Sequence, residues 1–521
     1  MKTLRAAEVR ELHRLLWPTT DDSTCDDLQR WYQQGFKFQA LQGFSIGLVQ
    51  DHGGPCGILA AVQAEMLRLF LFVRRLETLS DNGIELQNLI GRPQDEATRR
   101  QLLAEAMASL LAQCADNGRA VCVVVQDSET TYREITVSLL EAAELNPCQE
   151  LVELLLREMP AFCSPHGVIN FTFSVLRTKG VTAIREEMDD PTNTLTGAFG
   201  HCTQELLNLL LTGKAVSNVF DGNVPMGDSG MFLHGVSQRA RIGYLTQLEA
   251  LRYCQVGSYY KSPQFPVWVI GSSSHFSVGF ALEAWVSEES TSGQLFQRVQ
   301  RVFKQFDPME TGFMEISSLA ESLMQLGVES SIFLNERWMT RLVARLELSS
   351  GAGIILWDEY WKVISVLLHT NDFELALSGK YDTNVTESER RPLQRSDSDL
   401  ARELQAQFDA EDRGGSVESI PANLPVSASD LLAVPLPVVS FDWFYYNGLG
   451  SSDSHNKGRR PQLTKCRVTL DTSTEFIGKS VPMENVCTSG GHGSNPLEEI
   501  MKTKWPNARI DWLISPAPSI D

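Results

Sequence analysis

Residues 50 to 73 read QDHGGPCGILAAVQAEMLRLFLFV, and this stretch decides the fold. A loop with two glycines comes first, and apolar residues then recur at helical spacing, so the pattern predicts a helix entered at Pro55. The apolar run Ile58 to Val73 is interrupted by polar residues and is too short to cross a bilayer comfortably. We therefore expect a core helix with Cys56 in its first turn.

Thiol chemistry needs a thiolate, a base for its proton and donors for an oxyanion, and this loop offers two of the three. The partial positive charge of a helix N-terminus predicts a lowered pKa for Cys56. The two glycines before it permit a substrate backbone to approach closely. Gln50 lies six residues upstream of the thiol, and its amide is a candidate oxyanion donor beside the backbone N–H of Cys56.

A histidine far along the chain is the candidate base. Two strand-like runs, 265 to 270 and 275 to 280, are joined by Gly271 and three serines, which predicts a hairpin. Alternation with period two places Phe276 and Val278 on one face and His275 and Ser277 on the other. His275 is therefore predicted to face a cleft while its neighbours face the core.

Each residue has a purely structural interpretation as well. A lone cysteine at a helix start is more often a small buried apolar residue, and a lone strand histidine is more often structural. Their combination with Gln50, in the order and context that the mechanism requires, favours catalysis. His52 is more naturally a turn residue, and His201 and His234 are weaker alternatives for the base.

The segment from Gln50 to Cys56 resembles the nucleophile loop of the MINDY deubiquitinating enzymes, in the subgroup of the third and fourth human members. Trp31 and the run 34 to 36 resemble the segment that precedes that loop. Further blocks that resemble the family are 208 to 222, 250 to 259, 261 to 268 and 503 to 506. The resemblance covers roughly residues 1 to 375 and again 436 to 517.

The resemblance implies an α+β, papain-like cysteine peptidase fold with no cofactor and no metal. It implies Cys56 as nucleophile, His275 as proton acceptor and Gln50 as oxyanion donor. The implied reaction is hydrolysis of isopeptide bonds in polyubiquitin, with a preference for degradative, 48-linked chains. Asn447 and Asp442 on a late strand-like run are candidates for the group that orients the histidine. The rival functions are an inactive ubiquitin-binding scaffold or pseudoenzyme, a cysteine acyltransferase and a calcium-regulated adaptor.

Composition divides the chain into four predicted segments. A catalytic domain is expected over 1–296, an EF-hand-like helical insert over 297–375 and a disordered linker over 376–434. A C-terminal segment, 435–521, is expected to complete the catalytic domain. The insert resembles a pair of EF-hands with eroded loops, because Met309, Ser318 and Leu348 stand where oxygen ligands are expected. We therefore expect no tight calcium site.

One amphipathic segment stands out in the predicted linker, at 396–412. Leu400, Leu404 and Phe408 recur every four residues with Ala401 beside them, which predicts a short helix with one apolar stripe. It resembles the MIU motif, a ubiquitin-binding helix, so Leu400, Ala401 and Leu404 are candidate ubiquitin-binding residues. A transient solvated helix without a partner is the alternative, because short motifs match by chance.

Charge and cysteine content limit the remaining partners. The net charge of −20 disfavours nucleic acid and anionic membranes as partners and favours a protein or peptide. The resemblance implies ubiquitin and polyubiquitin chains as that partner. The ten cysteines include no C-x-x-C pair, which argues against a structural zinc site and a disulfide framework. No export signal is visible in the first 17 residues. We expect reduced thiols and a cytoplasmic or nuclear location.

Overall fold

The computed structural model describes most of the chain and leaves residues 379–438, which include nearly all of the predicted linker, outside its described part. The described residues are 1–18, 23–39, 44–51, 53–74, 93–115, 120–128, 131–139, 148–226, 230–288, 291–307, 311–328, 335–348, 351–370, 373–378, 439–450, 462–470, 495–506, 508–513, 517–518 and 520. They fall into two compact units. The first lies within Met1–Gly293, Val438–Asp471 and Ser489–Asp521, and the second within Gln294–Pro437 and Thr472–Thr488.

The first unit mixes helices and strands, which confirms the α+β class. Its elements up to the first long hairpin are β1 (Lys2–Thr3), α1 (Ala6–Leu16), α2 (Ser23–Gln33), β2 (Lys37–Phe38), β3 (Leu48–Val49), α3 (Cys56–Arg68), α4 (Glu96–Cys114), β4 (Ala120–Ser128) and β5 (Thr131–Ser138). The middle elements are α5 (Gln149–Cys163), α6 (Gly167–Lys179), α7 (Val181–Glu187), α8 (Gln204–Thr212), β6 (Asn223–Pro225), β7 (Phe232–His234), β8 (Gly243–Thr246), α9 (Gln247–Ala250), α10 (Ser258–Lys261), β9 (Val267–Gly271) and β10 (Phe276–Ala281).

The second unit is mainly helical, and the first unit resumes after it. The second unit contains most of α11 (Thr291–Phe306) and all of β11 (Phe313–Glu315), α12 (Leu319–Gln325), α13 (Glu336–Leu346), β12 (Ile354–Leu356), α14 (Trp357–Thr370) and α15 (Phe373–Ser378). Its strands β11 and β12 pair antiparallel, and its helices enclose a separate apolar core. The first unit then adds β13 (Val439–Tyr446), β14 (Leu463–Leu470), α16 (Pro496–Lys504) and β15 (Ala508–Trp512).

The central element of the first unit is a sheet to which six described strands contribute, in the order β15-β14-β13-β10-β9-β8. All neighbours are antiparallel except β8 and β9, which are parallel. The predicted hairpin is confirmed, since Phe276 pairs with Gly271 across β9 and β10. Strand β13, far along the sequence, pairs directly with β10 and places Tyr446 opposite Val278.

Alternation along these strands separates two apolar cores, one on each face of the sheet. On β9, Val267 and Val269 join the core that contains α3, whereas Trp268 and Ile270 join the core that contains α16. Every residue from Cys56 to Arg68 is buried, which confirms the predicted core helix. The run Cys56–Val73 is apolar enough to cross a membrane, but 89% of it is buried inside the protein. Its apolar surface is thus accounted for by packing.

The start of α3 follows the prediction closely. Pro55 is the residue that caps the helix rather than its first helical residue, and its carbonyl accepts from the N–H groups of Ile58 and Leu59 at 3.1 and 3.2 Å. Gly54 has a φ of 126°, a conformation that side chains with a β-carbon rarely adopt. A β-carbon there would lie 3.0 Å from the indole of Trp31. The glycine is therefore needed for both conformation and space.

Candidate active site

Cys56 begins α3 and is almost completely buried, with 2% of its surface exposed. Its Sγ lies 3.7 Å from the carbonyl of Gly54, to which the thiol can donate. The backbone N–H of Phe276, the first residue of β10, is directed at the same sulfur. The nucleophile candidate therefore lies directly against the strand that follows His275.

The expectation of a lowered thiol pKa is wrong for this conformation. Burial raises the pKa of Cys56 to about 11, because a thiolate in this position loses its hydration. The N–H groups of Phe276, Gly57 and Cys56 itself act in the opposite direction and do not compensate. The helix N-terminus thus supplies donors, as expected, but desolvation outweighs them.

His275 ends the tight turn between β9 and β10 and is also buried. Its backbone N–H donates to Ser272 Oγ at 2.9 Å, and the N–H of Ser272 donates to its carbonyl at 2.9 Å. Its ring Nε2 lies 2.7 Å from the carbonyl oxygen of Asn447. A carbonyl only accepts, so Nε2 carries the proton and Nδ1 is the basic nitrogen of the neutral ring.

The group that orients the histidine is therefore a main-chain carbonyl. The Asn447 side chain instead accepts from the N–H groups of Gln462 at 2.8 Å and Leu449 at 3.4 Å, which shapes the loop after β13. Asp442 pairs with Lys465 and Arg467 on the neighbouring strand, each at 2.6 Å. Of the two candidates, Asn447 is at the histidine through its backbone, and Asp442 is occupied in a cross-strand ion pair.

Gln50 directly follows β3, and its backbone is hydrogen-bonded to the loop after β13. Its N–H donates to the carbonyl of Gly448 at 2.9 Å, and its carbonyl accepts from the N–H of Gly450 at 2.7 Å. A β-carbon on Gly450 would lie 2.5 Å from the Gln50 carbonyl oxygen, so only glycine fits there. The loop that fixes the His275 ring therefore also fixes the Gln50 backbone.

One small cavity joins these groups. Cys56, Gln50, His275 and Asn447 all line it, together with Leu48, Leu59, Ala60, Gln63, Phe276, Ser277, Val278, Tyr446 and Gly448. Its volume is about 20 Å³, which is room for about one water molecule. An extended peptide chain does not fit inside it. Phe276 lines the cavity alongside His275. The alternation along β10 therefore did not by itself predict which residues face the cavity and which face the core.

The sequence analysis missed a buried glutamine that frames this site. Gln34, with no exposed surface, donates through its amide to the carbonyl of Val49 at 3.1 Å and accepts from the N–H of Asp51 at 3.0 Å. Gln34 therefore forms hydrogen bonds with the residues on both sides of Gln50. The signal in the sequence was only the resemblance of the segment 34 to 36, which gave no role to the side chain.

A second thiol also lies at the start of α3. The N–H groups of Gly57 and Ile58 are directed at Cys202, and a β-carbon on Gly57 would lie 3.0 Å from the Cys202 sulfur. Burial raises the pKa of Cys202 well above its ordinary value, and the neighbouring Cys56 adds to the effect. Nothing in the sequence pattern indicated that these two cysteines would be neighbours.

The other predicted histidines take different positions. The Nδ1 of His234 lies 2.9 Å from a carboxylate oxygen of Asp189, which also accepts from the His234 backbone N–H. His201 precedes Cys202, and burial, followed by the charge of Arg30, lowers its pKa. Neither lines the cavity of Cys56. His52 and the candidate ubiquitin-binding segment with Leu400, Ala401 and Leu404 lie outside the described residues.

The described residues contain no cluster of three or more His, Cys, Asp or Glu side chains that could hold a metal. In the first of the two loops predicted to resemble EF-hands, the Asp307 carboxylate accepts from the N–H and hydroxyl of Thr311 and from the N–H of Gly312, at 2.7 to 2.8 Å. In the second, Glu359 pairs with Arg345 at 2.6 Å and Lys362 at 3.0 Å. The acidic groups retained in both loops thus have partners within the protein.

A thiol and an imidazole around one desolvated cavity define a chemical class, the cysteine hydrolases, for which neither metal nor cofactor is needed. The comparison with known families agrees. Residues 21–299 match the family described as "Deubiquitinating enzyme MINDY-3/4, conserved domain". The chain therefore belongs to the MINDY-3/4 family of deubiquitinating enzymes, which confirms the resemblance found in the sequence.

Individual relatives show the extent of this similarity. The chain is 34% identical over 382 residues to "Ubiquitin carboxyl-terminal hydrolase MINDY-3" of Bos taurus, covering 67% of this chain and 80% of the relative. It is 33% identical over 381 residues to the Homo sapiens protein of the same name, with the same coverage. It is 36% identical over 307 residues to "Probable ubiquitin carboxyl-terminal hydrolase MINDY-4" of Mus musculus, covering 57% and 40%. No solved structure matches the chain.

Proposed function

We propose that this protein hydrolyses isopeptide bonds in polyubiquitin, with Cys56 as nucleophile, His275 as general base and Gln50 as oxyanion donor. The observation that carries the proposal is the cavity lined by these three residues, with the His275 tautomer set by the carbonyl that accepts from its Nε2. That tautomer leaves Nδ1 as the basic atom, which is what proton removal from a thiol requires.

The reaction would proceed in two halves. His275 Nδ1 takes the thiol proton and the Cys56 sulfur attacks the isopeptide carbonyl, while the Gln50 amide and the Cys56 N–H donate to the oxyanion. The C–N bond then breaks and the imidazolium gives its proton to the leaving lysine amine. Water, deprotonated by His275, attacks the thioester and releases the carboxylate and the thiol. The Asn447 carbonyl stabilises the imidazolium throughout.

The finer properties of the enzyme are part of the same proposal. A cysteine at a helix start facing a histidine on an antiparallel sheet supports a papain-like arrangement of the first unit. The antiparallel pairing of β11 with β12 supports an EF-hand-like second unit. The residues Met309, Ser318 and Leu348 at expected ligand positions support the absence of tight calcium binding. A preference for 48-linked chains, ubiquitin binding by the 396–412 segment and a cytoplasmic or nuclear location rest on the sequence alone.

The deciding experiment is reaction with ubiquitin that carries an electrophile at its C-terminus. We expect a covalent adduct with the wild-type protein and none with Cys56→Ala, because only the thiol can form the bond. His275→Gln should slow adduct formation at least a hundredfold, in the range typical of general-base catalysis. An adduct that survives Cys56→Ala would remove the assignment. Ubiquitin binding without any adduct would instead support the inactive scaffold.

A further inference from the structure

Phe199 is an exposed aromatic residue in an unfavourable backbone conformation. It occupies the middle of the short 3₁₀ turn Ala198–Gly200 with φ 60° and ψ 18°, and 72% of its surface is exposed. The left-handed region costs a residue with a β-carbon roughly 1–2 kcal/mol. A glycine at this position would avoid both that strain and the exposed ring. The Phe199 ring is thus exposed to solvent at a position whose backbone conformation would suit glycine better.

The turn that presents Phe199 is fixed by hydrogen bonds. The indole N–H of Trp31 donates to the carbonyl of Gly200 at 2.8 Å, and the bond is buried. The Arg30 guanidinium donates to the carbonyl of Phe199 at 3.0 Å. The N–H of Gly197 donates to the carbonyl of His201 at 2.9 Å, which closes the turn. The ring therefore projects from a rigid support.

The same support touches the nucleophile loop on two sides. A β-carbon on Gly54 would lie 3.0 Å from the Trp31 indole and 3.7 Å from the Gly200 carbonyl oxygen. Three residues after Phe199, Cys202 packs against Gly57, the residue that follows Cys56. The turn that presents Phe199 and the residues that follow it therefore pack against the chain on both sides of Cys56.

We propose that Phe199 is a substrate-binding residue that packs on an apolar side chain of ubiquitin beside the nucleophile loop. This inference rests on the proposed function. A rigid, exposed aromatic ring contributes contact area at a low entropic cost, which is why aromatic residues dominate binding hot spots. The hydrogen bonds of the turn hold the strained conformation in the free protein, and a contact made by the ring in the bound state would explain why a phenylalanine rather than a glycine stands there.

Steady-state kinetics on a ubiquitin substrate give the first test, with three variants. Phe199→Ala should raise KM roughly tenfold and leave kcat within about twofold, because it removes a contact that is made equally in the ground state and in the transition state. Phe199→Leu should restore most of the affinity. Phe199→Gly should match the Ala variant in KM while its melting temperature stays equal to or above that of the wild type, since glycine relieves the strain.

The matched control is Phe313→Ala, which removes a phenylalanine with 38% of its surface exposed from β11 in the second unit. It should leave KM unchanged. An unchanged KM in both Phe199→Ala and Phe199→Gly would overturn the inference. So would a loss of kcat and melting temperature together in Phe199→Gly, because that result would assign Phe199 a structural role.

Binding measured without chemistry separates this inference from the proposed function. In the Cys56→Ala background, titration with ubiquitin should show a Kd about tenfold weaker when Phe199→Ala is added. If the wild-type protein forms no adduct but this difference persists, the hydrolase proposal fails and the Phe199 inference stands. If adducts form normally and the two Kd values agree, or if ubiquitin does not bind the Cys56→Ala protein, the Phe199 inference is wrong.

Discussion

The protonation state of Cys56 can be tested directly, by following its alkylation as a function of pH. The thiol is buried and its pKa is raised from 9.0 to about 11, because burial removes the hydration of the thiolate. Only the thiolate reacts with a reagent such as iodoacetamide. The rate for Cys56 in the free protein therefore reports the thiolate fraction of the closed site.

The expected difference in alkylation rate follows from the ordinary pKa of a thiol and the raised pKa of Cys56. At pH 7.5 a thiol with a pKa of about 11 is about 0.03% thiolate, whereas one at 9.0 is about 3% thiolate, a difference of about 100-fold. Between pH 7 and 10 the rate should rise about tenfold per unit without reaching a plateau. Burial also slows access of the reagent, but that factor is shared by all pH values and leaves the slope unchanged.

The assay is peptide-resolved mass spectrometry after short pulses of iodoacetamide at fixed pH. Denatured protein is the control, since the Cys56 peptide should then titrate near the ordinary value for cysteine, about 8.5. A plateau at or below pH 7 in the folded protein would refute the reasoning. It would show that the resting site already holds a thiolate, paired with the His275 imidazolium, and that desolvation does not dominate.

Three further predictions concern the support of the site. Gln34→Ala should destabilise the protein by about 1–3 kcal/mol in urea denaturation and slow adduct formation, because buried backbone groups lose their partners; an unchanged midpoint would contradict it. Glu65→Gln should cost about 3–5 kcal/mol, since it leaves the fully buried Arg68 guanidinium without its carboxylate. Because folding lowers the pKa of Glu65 from 4.5 to about 2, its contribution is present above about pH 4.5 and is lost as pH falls toward 2, which denaturation at several pH values would reveal. Trp31→Phe keeps an aromatic ring but removes the N–H that holds the turn of Phe199, so it should raise KM as Phe199→Ala does. Wild-type kinetics would exclude a role of this hydrogen bond in positioning Phe199.

The helix and hairpin that carry the site were predictable because their signals are local. A proline, two glycines and a helical apolar period define α3, and period-two alternation around Gly271 defines the β9–β10 hairpin. Each signal spans fewer than about 20 residues and reflects burial of one face. The positions of Cys56 and His275 on these elements therefore followed from the sequence.

The contacts that set protonation were not predictable in the same way, because they are made by the backbone of distant segments. The carbonyl that fixes the His275 tautomer belongs to Asn447, and every residue type carries such a carbonyl. Likewise, the pKa of Cys56 depends on how much water the fold removes around it, which no helix-terminus argument contains. Sequence patterns indicated which groups are present, whereas packing determines their charge.

The chain order of the sheet explains why the site depends on the whole first unit. The chain leaves the sheet at Ala281, the end of β10, and returns at Val439, the start of β13, yet these strands are neighbours with Ala281 opposite Trp443. Closing so long a loop costs little more than closing a short one, because the entropic cost grows only with the logarithm of length. The return strand is stabilised by its pairing with β10 and by burial of Trp443, Phe444 and Tyr446. The loop after β13 then supplies both the carbonyl for His275 and the backbone partners of Gln50, so neither group is correctly placed until β13 has paired.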